Sequence, residues 1–257
     1  WIGIRLRILD MGLRFHIGFH TKTIHYRRMN MNNKLLQKNI NPEVTIIISA
    51  FNEEKYIGRC LRSLLSQNFP RHLFQIIVIN DGSADKTSYA LELFKEDIFI
   101  LNNDKNIGLP ASLNKAISKV QSPYFVRVDA DDYVGNNFLL FLYEFITEND
   151  NMDAIACDYH VINDKEEVIS RKNCMKEPIA CGIIFRTNQI VDIGLYDENF
   201  LLLEEIDLRI RFLTKHTIHR LELPLYRYRK HEANITNDKE VEKHYLSKIA
   251  LKHKLNK

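Results

Sequence analysis

The sequence predicts an α/β fold in which a Rossmann-like, mostly parallel sheet is flanked by helices, followed by a smaller region of different pattern. Three observations carry this. Short β-branched apolar runs, Val44–Ala50 and Gln75–Asn80, have the continuous hydrophobicity of strands buried on both faces. Each is followed by a stretch whose apolar residues recur at helical spacing. Alternation of the two implies right-handed βαβ units and a parallel sheet.

The elements follow in order. After the run Val44–Ala50, Asn52-Glu53-Glu54 is expected to open a helix, its carboxylates facing the positive end of the dipole. Ile57, Leu61, Leu64 and Leu65 mark that helix's buried face, and Pro70 lies beyond its end. The second run ends in Asp81-Gly82-Ser83, where Ser83 or Asp85 can cap a helix carrying Tyr89, Leu91, Leu93 and Phe94. Ile98–Leu101 reads as a third strand, and Asn106–Pro110 turns into a helix through Leu113, Ala116 and Ile117. Tyr124–Val128 is a fourth strand that runs into Asp129-Ala130-Asp131-Asp132. Beyond residue 150, Ala154–Ile162 and Ile179–Phe185 read as strands, with a short helix near Gln189–Ile193. A helix begins at Glu204-Glu205, and a basic helical tail runs from Lys239.

Composition narrows the function classes. The chain has 257 residues and a formal net charge of +3, too small a charge to argue for nucleic acid as a partner. Cys60, Cys157, Cys174 and Cys181 lack C-x-x-C spacing, so disulfides and a zinc site are not expected and a reducing compartment is. No apolar run approaches the roughly 20 residues of a membrane-spanning helix; Phe138–Phe145 is short and carries Glu144. Residues 1–42 are expected to be a basic extension, with Met29 or Met31 a natural start and no signal-peptide pattern.

In open α/β sheets ligands bind beyond the carboxyl ends of the strands. Asn52-Glu53, Asp81 and Asp129–Asp132 each follow a strand, so they are expected to converge on one face. Asp129, Asp131 and Asp132 would repel one another unless a hard divalent cation, Mg²⁺ or Mn²⁺, relieved the repulsion. A helix N-terminus rich in Asp is the other reading of that cluster. Asp81 can accept a nucleobase N–H, with Gly82 admitting a ligand, or it can simply form a turn and cap. Glu204-Glu205 offers a general base for a sugar hydroxyl, or merely two glutamates in a first helical turn. Tyr228-Arg229-Lys230-His231 can supply a cation and an imidazole to a diphosphate or metal, or His231 can be an ordinary surface or core histidine.

The strings together resemble the family-two glycosyltransferases, inverting enzymes of GT-A fold. They are Val44–Glu54, Asn80-Asp81-Gly82-Ser83-x-Asp85-x-Thr87, Asn106-x-Gly108 with Asn114, Val128–Asp132, and Glu204-Glu205-x-Asp207-Leu208-x-x-Arg211. Ala50 and Phe51 depart from the family's usual Pro-x-Tyr-Asn wording, and Glu205 stands where Asp is usual. The resemblance implies a GT-A domain over residues 43–237, with a nucleotide half at 43–132 and an acceptor half at 133–237, before a basic tail at 238–257. It further implies that Ala50, Phe51, Glu53 and Asp81 line the nucleotide pocket, with Asp129 near the ribose and phosphates. Asp131 and His231 would ligate the metal, and Glu205, with Glu204 beside it, would be the catalytic base.

The expected function is therefore inverting transfer of a sugar from a nucleoside diphosphate, UDP favoured, to a saccharide or lipid-linked acceptor in cell-surface polysaccharide synthesis. A sugar nucleotidyltransferase would show a Gly-rich loop where Phe51-Asn52-Glu53-Glu54 stands, and a dinucleotide oxidoreductase would show G-x-G-x-x-G. An inactive nucleotide-sugar-binding relative is opposed by the presence of both the acidic cluster and Glu205. The expected location is cytoplasmic, with Lys243, Lys248, Lys252 and Lys254 available for peripheral contact with an anionic membrane at its inner face.

Overall fold

The computed structural model describes residues 41–231 and 239–255; most of the basic N-terminal segment and the boundary expected near residue 237 lie outside these. β1 (Val44–Ala50) pairs in parallel with β2 (Phe74–Asn80) on one side and β4 (Tyr124–Arg127) on the other, and β2 pairs in parallel with β3 (Phe99–Asn102). The strand β1 is apolar throughout because both of its faces are covered. Val44, Ile46, Ile48 and Ala50 enter one core with Ile57, Leu61 and Leu64 of α1 (Ile57–Leu65). Ile47 enters the other with Leu113, Ala116 and Ile117 of α3 (Leu109–Ile117).

The order β3-β2-β1-β4 requires the chain to cross back after β3, so the topology switches between β1 and β4. The crevice for a ligand lies there, beyond their carboxyl ends. The sheet then continues through β8 (Ile183–Arg186), antiparallel to β4, and β6 (Ala154–Ile162), antiparallel to β8. Next come β9 (Ile218–Arg229), parallel to β6, and the short β5 (Tyr133–Val134). A hairpin strand, β7 (Val168–Lys172), pairs with β6. Helices α2 (Thr87–Glu92), α4 (Phe138–Thr147), α5 (Thr187–Asp192), α6 (Glu204–Leu213) and α7 (Lys239–Lys252), with a 3-10 turn at Arg71–Leu73, complete the described elements.

Some local expectations need correction. Asn52-Glu53-Glu54 does not open α1: Asn52 is left-handed at φ 58° and the regular helix starts at Ile57. Hydrogen bonds to the loop after β2 hold this segment away from helical geometry. Tyr89 and Leu93 are exposed, and α2 buries only Leu91 and Thr87. β8 begins at Ile183, after a positive-φ Gly182 at 71°.

The tail helix α7 is docked. Ile249 is buried with Phe200, Leu202 and Leu203. Lys252 Nζ lies 2.8 Å from Asp197 and 2.6 Å from Asp207, and His253 Nε2 lies 2.8 Å from Asp207. Lys248 Nζ donates to the Asn199 carbonyl at 3.1 Å. Two of the four lysines expected to face a membrane are thus engaged within the protein. Among the described residues no helix is long and apolar enough to cross a membrane.

Candidate functional site

The loops after β1 and β2 are fastened to each other. Asn52 N–H donates to Ser83 Oγ at 3.0 Å while its Oδ1 accepts from Ala84 N–H at 2.9 Å. Glu54 N–H donates to Asp85 Oδ2 at 3.0 Å, and Lys86 N–H donates to Glu54 Oε2 at 2.7 Å. Glu53 N–H is taken by Thr87 Oγ1 at 2.7 Å. Ala50 is buried, its carbonyl accepting from Asp81 N–H, and Phe51 is left exposed at the mouth.

Asp81 has a structural task. Its Oδ1 accepts from Asn103 Nδ2 at 2.8 Å and Ile107 N–H at 3.0 Å, and its Oδ2 from Gly108 N–H at 3.1 Å. Gly82, at φ 69°, lies so near this loop that a Cβ would sit 2.4 Å from the Lys105 carbonyl carbon. Any side chain at residue 82 would push the loop away.

The acidic cluster closes β4. Asp129 accepts from Arg127 Nε at 2.8 Å, and its backbone N–H donates to Tyr226 Oη at 3.1 Å. Asp131 Oδ2 lies 3.0 Å from His231 Nε2, whose ring stacks on Tyr56 at 5.1 Å between centroids. Asp132 is fully buried, accepting from Tyr226 Oη at 2.7 Å and Arg229 N–H at 2.6 Å. Burial and the charge of Asp129 raise Asp131 above the usual carboxylate range. Glu53 is pushed up to about 8, by burial first and then by Asp131, Asp129 and Asp85. Crowded carboxylates that resist ionisation are what a hard cation relieves.

Two sets of ligands are available in this cluster. Asp129, Asp132 and Cys181 bring one ligand atom each within 4.8 Å of one another. Both Asp132 oxygens are already hydrogen-bonded, and the Cys181 thiol is a soft ligand that Mg²⁺ or Mn²⁺ does not favour. Asp131, with His231 beside it, therefore fits a hard cation better.

Glu204 and Glu205 begin α6, after Leu203 in the left-handed conformation at φ 62°. Glu204 is buried and Arg127 Nη1 donates to its Oε1 at 2.8 Å. Glu205 is pushed up to about 7 by burial and then by Glu204, against the opposing pull of Arg127. It lines a cavity of about 400 Å³ together with Ile179, Ile183, Leu208 and Arg209. The loop ahead of α6 is held by Asn114, whose Nδ2 donates to the Tyr196 carbonyl at 2.9 Å and whose Oδ1 accepts from Tyr196 N–H at 3.0 Å.

Glu53 thus lies near enough to Asp129 and Asp131 to feel their charge, Asp131 meets His231, and Arg127 joins Asp129 to Glu204. Arg127 and Tyr226 escape a reading of the sequence. An arginine inside an apolar strand and an aromatic in a strand interrupted by Pro224 carry no motif. Arg229 organises the far rim, its Nε donating to the Asp131 carbonyl at 2.9 Å and its Nη2 lying 3.4 Å from Glu166.

A family profile described as glycosyl transferase family 2 matches residues 45–210, well over half of the chain. The chain belongs to glycosyltransferase family 2. Among family-2 relatives, a poly(ribitol-phosphate) beta-glucosyltransferase from Bacillus spizizenii is 35% identical over 111 residues, 42% of this chain and 18% of that one. The fold is that of solved relatives. The TarS 1–349 crystal structure from S. aureus in complex with UDP-GlcNAc superposes with a TM-score of 0.69 at 22% identity, covering 81% of this chain and 66% of that one. A Pyrobaculum calidifontis mannosyltransferase in complex with GDP-Man and Mn²⁺ gives 0.68 at 14% identity, over 85% and 66%. This family-2 chain spans less than half the length of several curated relatives, 39%, 22% and 18% in three cases.

Proposed function

We propose that this chain transfers a sugar from a nucleoside diphosphate, a UDP-sugar, to a hydroxyl of a saccharide or lipid-linked acceptor, with inversion at the anomeric carbon. One observation carries the reading: the acidic cluster at the switch point and the Glu204-Glu205 pair at the cavity are joined by one buried arginine, Arg127. Donor and acceptor chemistry are thereby adjacent. The relatives that act on poly(ribitol-phosphate) or bind UDP-GlcNAc support a role in cell-surface polysaccharide synthesis.

Asp131 and His231 would hold a divalent cation, Mg²⁺ or Mn²⁺. Bound there, such a cation supplies neutralisation of the charge developing on the leaving diphosphate. Ala50, Phe51 and Glu53 line the nucleotide side, and Asp81 shapes it by fixing the 103–108 loop. Asp129, oriented by Arg127 and Tyr226, faces the ribose and phosphates. Glu205 takes the proton from the acceptor hydroxyl as the oxygen attacks the anomeric carbon. A carboxyl that titrates at about 7 is matched to accepting that proton near neutral pH. A single base with the nucleotide leaving from the opposite face gives inversion. Peripheral membrane contact, where lipid-linked acceptors reside, would rest on lysines such as Lys243 and Lys254.

The test is transfer from UDP-GlcNAc and other UDP-, GDP- and dTDP-sugars, followed by the anomeric configuration of the product by NMR. Turnover that stops in EDTA and returns with Mn²⁺ is expected. Metal-independent turnover, or retention of configuration, would overturn the reading.

A further inference from the structure

The cavity beside Glu205 contains a cation without a counter-charge. Arg209 follows Glu205 by one helical turn, and both line the same cavity of about 400 Å³. Residues four apart on a helix are neighbours, with about 5–6 Å between Cβ atoms. They nevertheless form no ion pair with each other. The contact Arg209 makes is with Met175 Sδ, at 3.9 Å from Nη2.

Its neighbours on the same helix and sheet show how this protein ordinarily treats arginine. Arg211 is 2.7 Å from Asp207, and Arg220 is 2.7 Å from Asp158. Arg127 has Asp129 and Glu204, and Arg59 has Glu166. Arg186 and Arg227 donate to backbone carbonyls. Among the described residues, Arg209 is the half-buried arginine that meets no oxygen acceptor. Burial weakens its hold on a proton, and leaving a guanidinium half-desolvated and unpaired is costly. Its planar fork fits the two oxygens of a phosphate or carboxylate.

We infer that Arg209 is an acceptor-binding residue that recognises an anionic group, phosphate or carboxylate, on the same unit that offers its hydroxyl to Glu205. This rests on the transferase reading for the identity of the ligand as acceptor. The apolar walls, Ile179, Ile183 and Leu208, exclude water from the pair and strengthen it. An anion on Arg209 lies within the span of one polyol or sugar unit from Glu205. The acceptor class is therefore a polyol phosphate or an acidic sugar, and neutral glycans are disfavoured.

The experiment measures binding of glycerol 3-phosphate, glucuronate and glycerol to the wild-type chain and to Arg209→Gln and Arg209→Lys by calorimetry. Glycerol 3-phosphate and glucuronate separate the two anion sources. At least one is expected to bind the wild type, with glycerol at least tenfold weaker. Arg209→Gln is expected to lose at least tenfold in affinity for the anionic probe, and Arg209→Lys to lose less. Equal binding of the anion by wild type and Arg209→Gln, or of glycerol and both anions by wild type, overturns the inference. In the unmodified protein the bound anion should also protect Arg209 from phenylglyoxal, read by peptide mass spectrometry; unchanged modification would contradict it without relying on a variant. UDP-GlcNAc binding, recorded alongside, stands apart. Its absence in wild type, together with absence of binding by the other UDP-, GDP- and dTDP-sugars, would defeat the transferase reading while leaving the Arg209 comparison legible.

Discussion

Arg127 Nη1 lies 2.8 Å from Glu204 Oε1, in a position where both side chains are only 4% exposed. The same guanidinium holds Asp129 through Nε at 2.8 Å. One buried cation therefore neutralises a carboxylate on each side of the site, and its desolvation is compensated by both.

Removing that cation should be costly. Arg127→Gln leaves two carboxylates without their partner, and a loss of about 3–5 kcal/mol in folding stability is expected. Arg127→Lys retains the charge without the fork and should fall between. Urea denaturation checks both, and a wild-type midpoint for Arg127→Gln would refute the bridging role.

As the base of the proposed transfer, Glu205 should govern its pH dependence. Burial first, and then the neighbouring Glu204, push its carboxyl up from 4.5 to about 7. Transfer should rise with pH and level off above about 7, because the base must be ionised. Glu205→Gln should lower kcat by about a hundredfold or more while donor binding persists. Stability has the opposite sense. The folded state holds this proton more tightly, so the associated stability is full below 4.5 and lost as pH rises through about 7. Glu205→Gln should therefore melt higher than wild type at pH 8 and equal it at pH 4; no difference at pH 8 would mean that the carboxyl is not perturbed.

Asp131→Asn should abolish the stabilisation that Mn²⁺ with UDP confers in a thermal melt, since it removes an anionic oxygen beside His231. An unchanged Mn²⁺-dependent shift would move the metal to the Asp129, Asp132 and Cys181 set.

Ile249→Ala tests the docked tail. It opens space against Phe200, Leu202 and Leu203 and should cost about 2–5 kcal/mol locally. Hydrogen exchange in residues 197–203 should accelerate, while exchange in β1 and β2 stays as it was. Uniform acceleration throughout would argue against a separate cooperative unit.

The nucleotide half was readable because its strands are uninterrupted apolar runs buried on both faces, as β1 is by α1 and α3. Their polar ends then had to converge. β9 was not readable, since Arg220, Glu222 and Pro224 break its pattern, and register shifts opposite Leu221 and Pro224 accommodate the proline. The acidic cluster showed its carboxylates but not their division of labour. Asp132 is withdrawn into the core by Tyr226 and Arg229, which lie 94 and 97 residues away. Asp81 reads as a base contact, and its oxygens also secure the 103–108 loop. Separations of that length leave no local trace.

The tie between α6 and α7 also sets an order of events during synthesis. His253, which binds Asp207, is made 46 residues later. Chains fold from the N-terminus as they emerge, so the parallel strands can assemble while Asp207 still lacks its bonds to Lys252 and His253. The helix that carries Glu205 gains these contacts only after α7 has been made, with Arg211 as the partner of Asp207 until then.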